Sequence, residues 1–149
     1  MVVRSFVLDS SVLVASLVPS DRFYSEGQKI VKRVLSGNDA VYASAIVPVE
    51  VCGVVARRTH DTQTASQIAV QFEKWIRLGR LKIAYLTSRR MRNAETLSGK
   101  YCVRGIDAII AQVAEETSIP LVTFDHDLAG RISPDIKVVT DANVEEILS

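Results

Sequence analysis

The chain has 149 residues, the size of one ordinary domain and enough to bury a core without disulfide or metal staples. Hydrophobic residues make up 48% and charged residues 23%, which excludes a disordered tract. The net charge of +1 leaves any affinity for nucleic acid to local features rather than to a basic field.

In chain order, Val2 to Leu8 is a β-branched, apolar run that predicts a largely buried first strand ending at Asp9. Ser10 and Ser11 offer N-caps for a short helix through Val18, stopped by Pro19. Ser20 and Asp21 are read as caps of a second helix, with Phe23, Ile30 and Val34 at helical spacing and an end near Gly37. Ala40 to Ala43 is a short strand, and Ser44 caps a helix over 45–59 that tolerates Pro48 near its first turn. Asp61 or Thr62 opens a helix with Ile68, Phe72, Trp75 and Ile76 on one face, stopping around Gly79. Arg80 to Leu86 alternates toward a strand, and a polar, basic helix covers 88–101. An apolar helix covers 106–117, and Pro120 breaks into a strand at 121–124. A last strand at 136–139 precedes a short helix at 144–148. Cys52 and Cys102 match no zinc spacing and are expected as buried thiols. No apolar run approaches a membrane span, and the N-terminus meets charge too soon for a signal peptide, so a cytoplasmic protein is expected.

Short strands alternating with longer helices imply one α/β domain over residues 1–149, a mainly parallel sheet with helices on both faces, in three α/β/α layers. Sites in such sheets form beyond the carboxyl ends of the strands. Asp9 and Asp125 end strands there, and Asp107 lies in the first turn of its helix. Glu50 is the only charge between Ala45 and Ala56, a stretch apolar nearly all round, and a helix of that kind is expected to be buried. Each acid also has a plainer reading: turn or N-cap for Asp9, an ordinary turn for Asp125-His126-Asp127, helix-dipole partner for Asp107, ion pair with a buried arginine for Glu50.

Taken together the acids point to metal. Two carboxylates about 5 Å apart repel by roughly 3 kcal/mol at an effective dielectric of about 20. Three or four in one place need a compensating cation, and all-oxygen ligation suits Mg²⁺ or Mn²⁺ better than zinc. No nucleophilic Ser-His or Cys-His arrangement and no Gly-rich phosphate loop offers other chemistry, which leaves metal-assisted phosphodiester hydrolysis as the economical choice. Arg89, Arg90, Arg92, Lys100 and Arg104 crowd a region with Glu95 as its only acid, either a set of RNA phosphate contacts or a solvated helix face. Arg57 and Arg58 equally complement the end of their helix.

Four segments carry a resemblance: Phe6-Val7-Leu8-Asp9-Ser10-Ser11-Val12-Leu13, Ala43-Ser44-Ala45-Ile46-Val47-Pro48-Val49-Glu50-Val51, Gly105-Ile106-Asp107-Ala108-Ile109-Ile110-Ala111 and Leu121-Val122-Thr123-Phe124-Asp125-His126-Asp127-Leu128. In that order the chain resembles the PIN-domain family over essentially its whole length, and within it the VapC-like toxins of toxin–antitoxin pairs. The resemblance implies a Mg²⁺- or Mn²⁺-dependent ribonuclease, an RNA substrate, an antitoxin protein as partner and often a homodimer. It also implies Asp9, Glu50, Asp107 and Asp125 as metal ligands, Asp127 as an additional acid, and Ser11 and Thr123 as hydroxyls that orient carboxylates or water. Two alternatives stand beside it. An inactive PIN-like scaffold has the same acids without turnover, and a haloacid-dehalogenase-type phosphatase would need an acid where Ser11 stands.

Overall fold

A computed structural model describes residues 4–149, so the predicted strand start at Val2 and Val3 lies outside the described residues. β1 (Ser5–Leu8) is followed by α1 (Ser10–Leu17) and α2 (Tyr24–Ser36), and β2 (Ala40–Ser44) leads into α3 (Ile46–Thr59) and α4 (Thr62–Arg77). β3 (Lys82–Ala84) precedes α5 (Ser88–Tyr101) and α6 (Gly105–Thr117). β4 (Leu121–Val122), α7 (His126–Ile132), β5 (Val138–Val139) and α8 (Glu145–Leu148) follow.

Every strand pair is parallel, in the order β3-β2-β1-β4-β5, so the sheet is wholly rather than mainly parallel. Strands covered on both faces need apolar residues at consecutive positions, which is why Phe6, Val7 and Leu8, and likewise Leu121 and Val122, are all buried. Right-handed crossovers from β1 to β2 to β3 put α1 to α4 on one face, and the return to β4 puts α5 and α6 on the other. The packing agrees: α1 rests on α2 and α3, α3 on α4, and α6 on β1, β2 and α5. The three-layer α/β/α architecture expected from the sequence is the one observed. Among the described residues, no helix is long and apolar enough to cross a membrane.

Five local expectations are corrected. Asp9, not a serine, holds the N-cap position of α1, and Asp21 closes a turn onto the Phe23 N–H at 2.9 Å, so α2 starts only at Tyr24. The stretch Asp125-His126-Asp127, readable as a turn, opens α7, because the Asp125 side chain accepts from the Leu128 N–H at 3.1 Å and so caps a new helix. The helix carrying Glu50 is not buried all round: α3 buries Val47, Val51 and Val55 along one stripe and leaves Val49 67% exposed. Finally, Cys102 is exposed at the left-handed C-cap of α5, while Cys52 is half-buried. Phe72 and Trp75 are in the core.

Candidate active site

The strand order reverses beside β1, where β2 lies on one side and β4 on the other, and crevices form at the carboxyl ends at such a switch point. A cavity of about 220 Å³ opens there. Its lining includes Asp9, Glu50, Asp107 and Asp125, with Asp21, Arg58 and Arg104 around them. Four elements deliver the four expected acids: Asp9 leaves β1, Glu50 sits on α3, Asp107 in the first turn of α6, and Asp125 caps α7.

Asp9 is buried and held by two hydroxyls. Ser11 Oγ donates to Asp9 Oδ2 at 2.5 Å, and Thr123 Oγ1 donates to the same oxygen at 2.7 Å. Each hydroxyl is itself oriented, because Ser11 Oγ accepts from the Phe124 N–H at 3.0 Å and Thr123 Oγ1 from the Asp125 N–H at 3.1 Å. A backbone donor on each hydroxyl oxygen directs its proton to the carboxylate. Burial dominates the environment and pushes the Asp9 carboxyl above its ordinary pKa; the Ser11 and Thr123 hydrogen bonds oppose this and the Asp107 charge adds to it.

Glu50 shares the cavity in a different state. Its Oε2 is buried and has no hydrogen-bond partner. Burial first, then the Asp9 charge, pushes its carboxyl above the ordinary range; Ser10 opposes, Asp107 adds to the rise and Arg104 opposes again. Arg104 Nε pairs with Asp107 Oδ2 at 3.0 Å while its side chain stays 77% exposed. Among the described residues, no three acidic, imidazole or thiol groups already stand as a metal ligand set. The donor set nevertheless fits a hard divalent ion, since it is all oxygen and contains one buried carboxylate atom lacking any partner.

Other predicted residues fall elsewhere. Asp127 does not line the cavity; its carboxylate is 78% exposed and pairs with Arg131 Nε at 3.1 Å along α7. His126 bonds Asp141 at 2.5 Å and packs against the Phe23 ring. Arg90 is committed to Glu116 at 3.0 Å and to the Tyr85 carbonyl, with the charge of Arg89 also felt at Glu116. Glu116 lies near the far end of α6, a helix rise of roughly 13 Å from Asp107. The structure therefore does not bring Arg89 and Arg90 to the acids; Arg92 stands on the same helix, exposed, and Arg104 alone of that basic set lines the cavity.

Two lining residues escaped the sequence reading. Asp21 was assigned to a cap, and Arg58 to the helix dipole. A usable signal exists for Arg58: Glu50, Val54 and Arg58 follow one another at four-residue steps along α3, and all three line the cavity.

The PIN domain model matches residues 6–131. The chain belongs to the PIN domain family. No curated protein matches it in sequence. Among solved structures, it is similar to VapC20 of Mycobacterium tuberculosis, a Sarcin-Ricin loop cleaving toxin, with 19% identity, TM-score 0.69, and 91% of this chain and 98% of that one covered. VapBC2 from Rickettsia felis, bound to a DNA fragment from its promoter, aligns with 17% identity, TM-score 0.66 and coverage of 91% and 98%. A toxin–antitoxin complex from Klebsiella pneumoniae aligns with 21% identity, TM-score 0.57 and coverage of 91% and 96%. At these identities the likeness establishes a shared fold.

Proposed function

We propose that the chain is a divalent-metal-dependent endoribonuclease of the VapC type, the toxin of a toxin–antitoxin pair. The observation that carries the metal reading is Glu50 Oε2, buried without a partner in a cavity that also holds Asp9, Asp107 and Asp125. A buried carboxylate in that company costs free energy unless a cation compensates it.

Asp9, Glu50, Asp107 and Asp125 would hold Mg²⁺ or Mn²⁺. When bound, such an ion supplies a Lewis acid and an activated water for in-line hydrolysis of a phosphodiester. Ser11 and Thr123 keep Asp9 in one orientation, so the ligand is preorganised rather than recruited. Arg104 neutralises Asp107 in the metal-free chain, and its exposed guanidinium suits an RNA phosphate once Asp107 is otherwise engaged.

An antitoxin partner and a homodimer belong to the same reading. Similar structures include toxin–antitoxin complexes. An apolar groove of about 510 Å³ between α3 and α4, lined by Val49, Phe72, Ile76 and Tyr85, offers a partner's apolar side chains a place to bury. An antitoxin arginine entering the acidic cavity would be an inhibitor of matching charge.

The test is cleavage of labelled RNA by wild type and Asp9→Asn over a titration of Mg²⁺ and Mn²⁺, with EDTA as control. Wild type is expected to cleave only with metal, and Asp9→Asn to fall to background. Equal cleavage by both proteins, or cleavage untouched by EDTA, would sink the metal-nuclease mechanism. RNA bound but never cut would leave an inactive scaffold.

A further inference from the structure

The cavity has a charge problem that its acids create. Asp9, Asp21, Glu50, Asp107 and Asp125 all line it, and a phosphodiester must approach them carrying negative charge of its own. Among the described residues, two basic side chains line the same cavity, Arg104 and Arg58. Arg104 is tied to Asp107. Arg58 sits two turns beyond Glu50 on α3 and is held by Asp21 through a single hydrogen bond. Asp21 Oδ1 accepts from the Phe23 N–H at 2.9 Å, and Asp21 Oδ2 accepts from Arg58 Nη1 at 2.8 Å.

Asp21 is placed to support Arg58: its side chain is mostly buried, and each of its oxygens accepts one hydrogen bond, one from a backbone N–H and one from the guanidinium. Arg58 has five N–H donors; among the described residues its side chain makes one hydrogen bond, to Asp21, and it is 44% exposed. Asp21 thus fixes one edge of a planar fork and leaves the remainder at the cavity wall. A fork of this kind matches phosphate oxygens and loses little freedom on binding.

We propose that Arg58, oriented by Asp21, is a substrate-binding residue that grips an RNA backbone phosphate next to the scissile one. This rests on the nuclease reading above. Arg58 and Arg104 then supply two cationic contacts from different places in the fold, α3 and the N-cap of α6, and both line the cavity with the acids.

The test uses fluorescein-labelled RNA, one single strand and one stem-loop, with binding measured over a salt series in the Asp9→Asn background and cleavage in the otherwise native chain. Arg58→Ala is expected to weaken binding about tenfold, as loss of one charge-assisted contact does. It should also reduce the slope of log K against log salt by about 0.7 on the single strand, the value for one phosphate contact. In cleavage, KM rises by a similar factor while kcat changes less than about threefold, the signature of lost uniform binding. Arg58→Lys should keep the salt slope and recover only part of the affinity, because the charge remains and the fork does not. Asp21→Asn should raise KM with Arg58 intact. An unchanged salt slope and KM in Arg58→Ala, with only the melting temperature lowered, would overturn the proposal and reduce the pair to a strap between α3 and the turn before α2. Wild type that cleaves with metal while Asp9→Asn does not, together with an Arg58→Ala indistinguishable from wild type, would reject this assignment and leave the nuclease intact. Absence of both binding and cleavage in the wild type would reject the two together.

Discussion

At the residue scale, Asp9 and Glu50 trade stability for an ionised site. Both carboxyls have folded-state pKa values above their ordinary ones, Asp9 chiefly from burial and Glu50 from burial and then the Asp9 charge. Between the unfolded and the raised folded value the native state binds more protons, so stability falls as pH rises through that window. The contribution is fully present below the ordinary carboxylate pKa of about 4 and is lost as pH passes the folded value. In EDTA, Asp9→Asn is therefore expected to melt higher than wild type at pH 7, with the difference shrinking toward pH ~4. The amide keeps an oxygen for Ser11 and Thr123. Melts across that range check the sign, and an Asp9→Asn protein less stable than wild type at pH 7 would contradict it. Thr123→Val tests the support beneath. It removes a donor to Asp9 and an acceptor for the buried-side Asp125 N–H while keeping side-chain volume. A loss of about 1–3 kcal/mol in urea denaturation is expected. Mn²⁺ affinity by calorimetry should fall by roughly 10- to 100-fold, as for other lost supports of metal ligands. Thr123→Ser, which keeps the hydroxyl, should recover most of both.

Between elements, the crossing of α1 and α2 depends on an absent side chain. A Cβ at Gly27 would stand 2.7 Å from Ser16 N and 3.1 Å from the Ala15 carbonyl carbon, both backbone atoms that cannot swing aside. Gly27→Ala should destabilise by about 1–3 kcal/mol, the usual cost of overpacking. Gly99→Ala, on α5 with nothing within 4 Å of the new Cβ, should instead be neutral or stabilise by up to about 1 kcal/mol. Equilibrium unfolding of the two variants side by side separates a packing constraint from a helix-propensity effect; equal shifts would remove the constraint. Gly27 was not legible in the sequence because its meaning is tertiary: one helix must approach another before the missing Cβ matters. The alternation of strands and helices was legible, because β-branched runs such as Val-Leu at β1 and Leu-Val at β4 are forced by burial on both faces. α7 was not, since Asp125-His126-Asp127 favours a turn locally and only the Asp125 cap commits the backbone to a helix. α3 misled in the opposite direction. Its apolar composition reads as burial, yet Val49 and half-buried Cys52 line a groove left open among the described residues.

For the whole molecule, the acids were legible from strand ends and family pattern, whereas the basic side chains were legible only as a candidate set that did not tell Arg104, which lines the cavity, from Arg90, which does not. Arg58 follows Glu50 on one face of α3 and Arg104 precedes Asp107 by three residues, but which basic residues meet across elements depends on helix packing, and Arg90, equally basic in sequence, is drawn away to Glu116. The site is therefore a property of the assembled fold, and this has a thermodynamic consequence. Asp9, Glu50, Asp107 and Asp125 come from four segments spread over most of the chain, which an unfolded polymer does not gather. An ion that binds the folded state alone stabilises it by RT ln(1 + [ion]/Kd), about 2.7 kcal/mol at one hundred times Kd. For a chain near 150 residues that corresponds to a rise in melting temperature of roughly 5–10 °C. Mn²⁺ at that excess should produce this shift in wild type, EDTA should reverse it, and Asp9→Asn and Asp107→Asn should each lose most of it. Arg104→Ala should keep the shift, because removing the guanidinium that pairs with Asp107 frees a ligand rather than deleting one. A shift of equal size in Asp9→Asn would place the ion outside the cavity. No shift in wild type would mean that the four carboxylates, for all their convergence, are not a metal site.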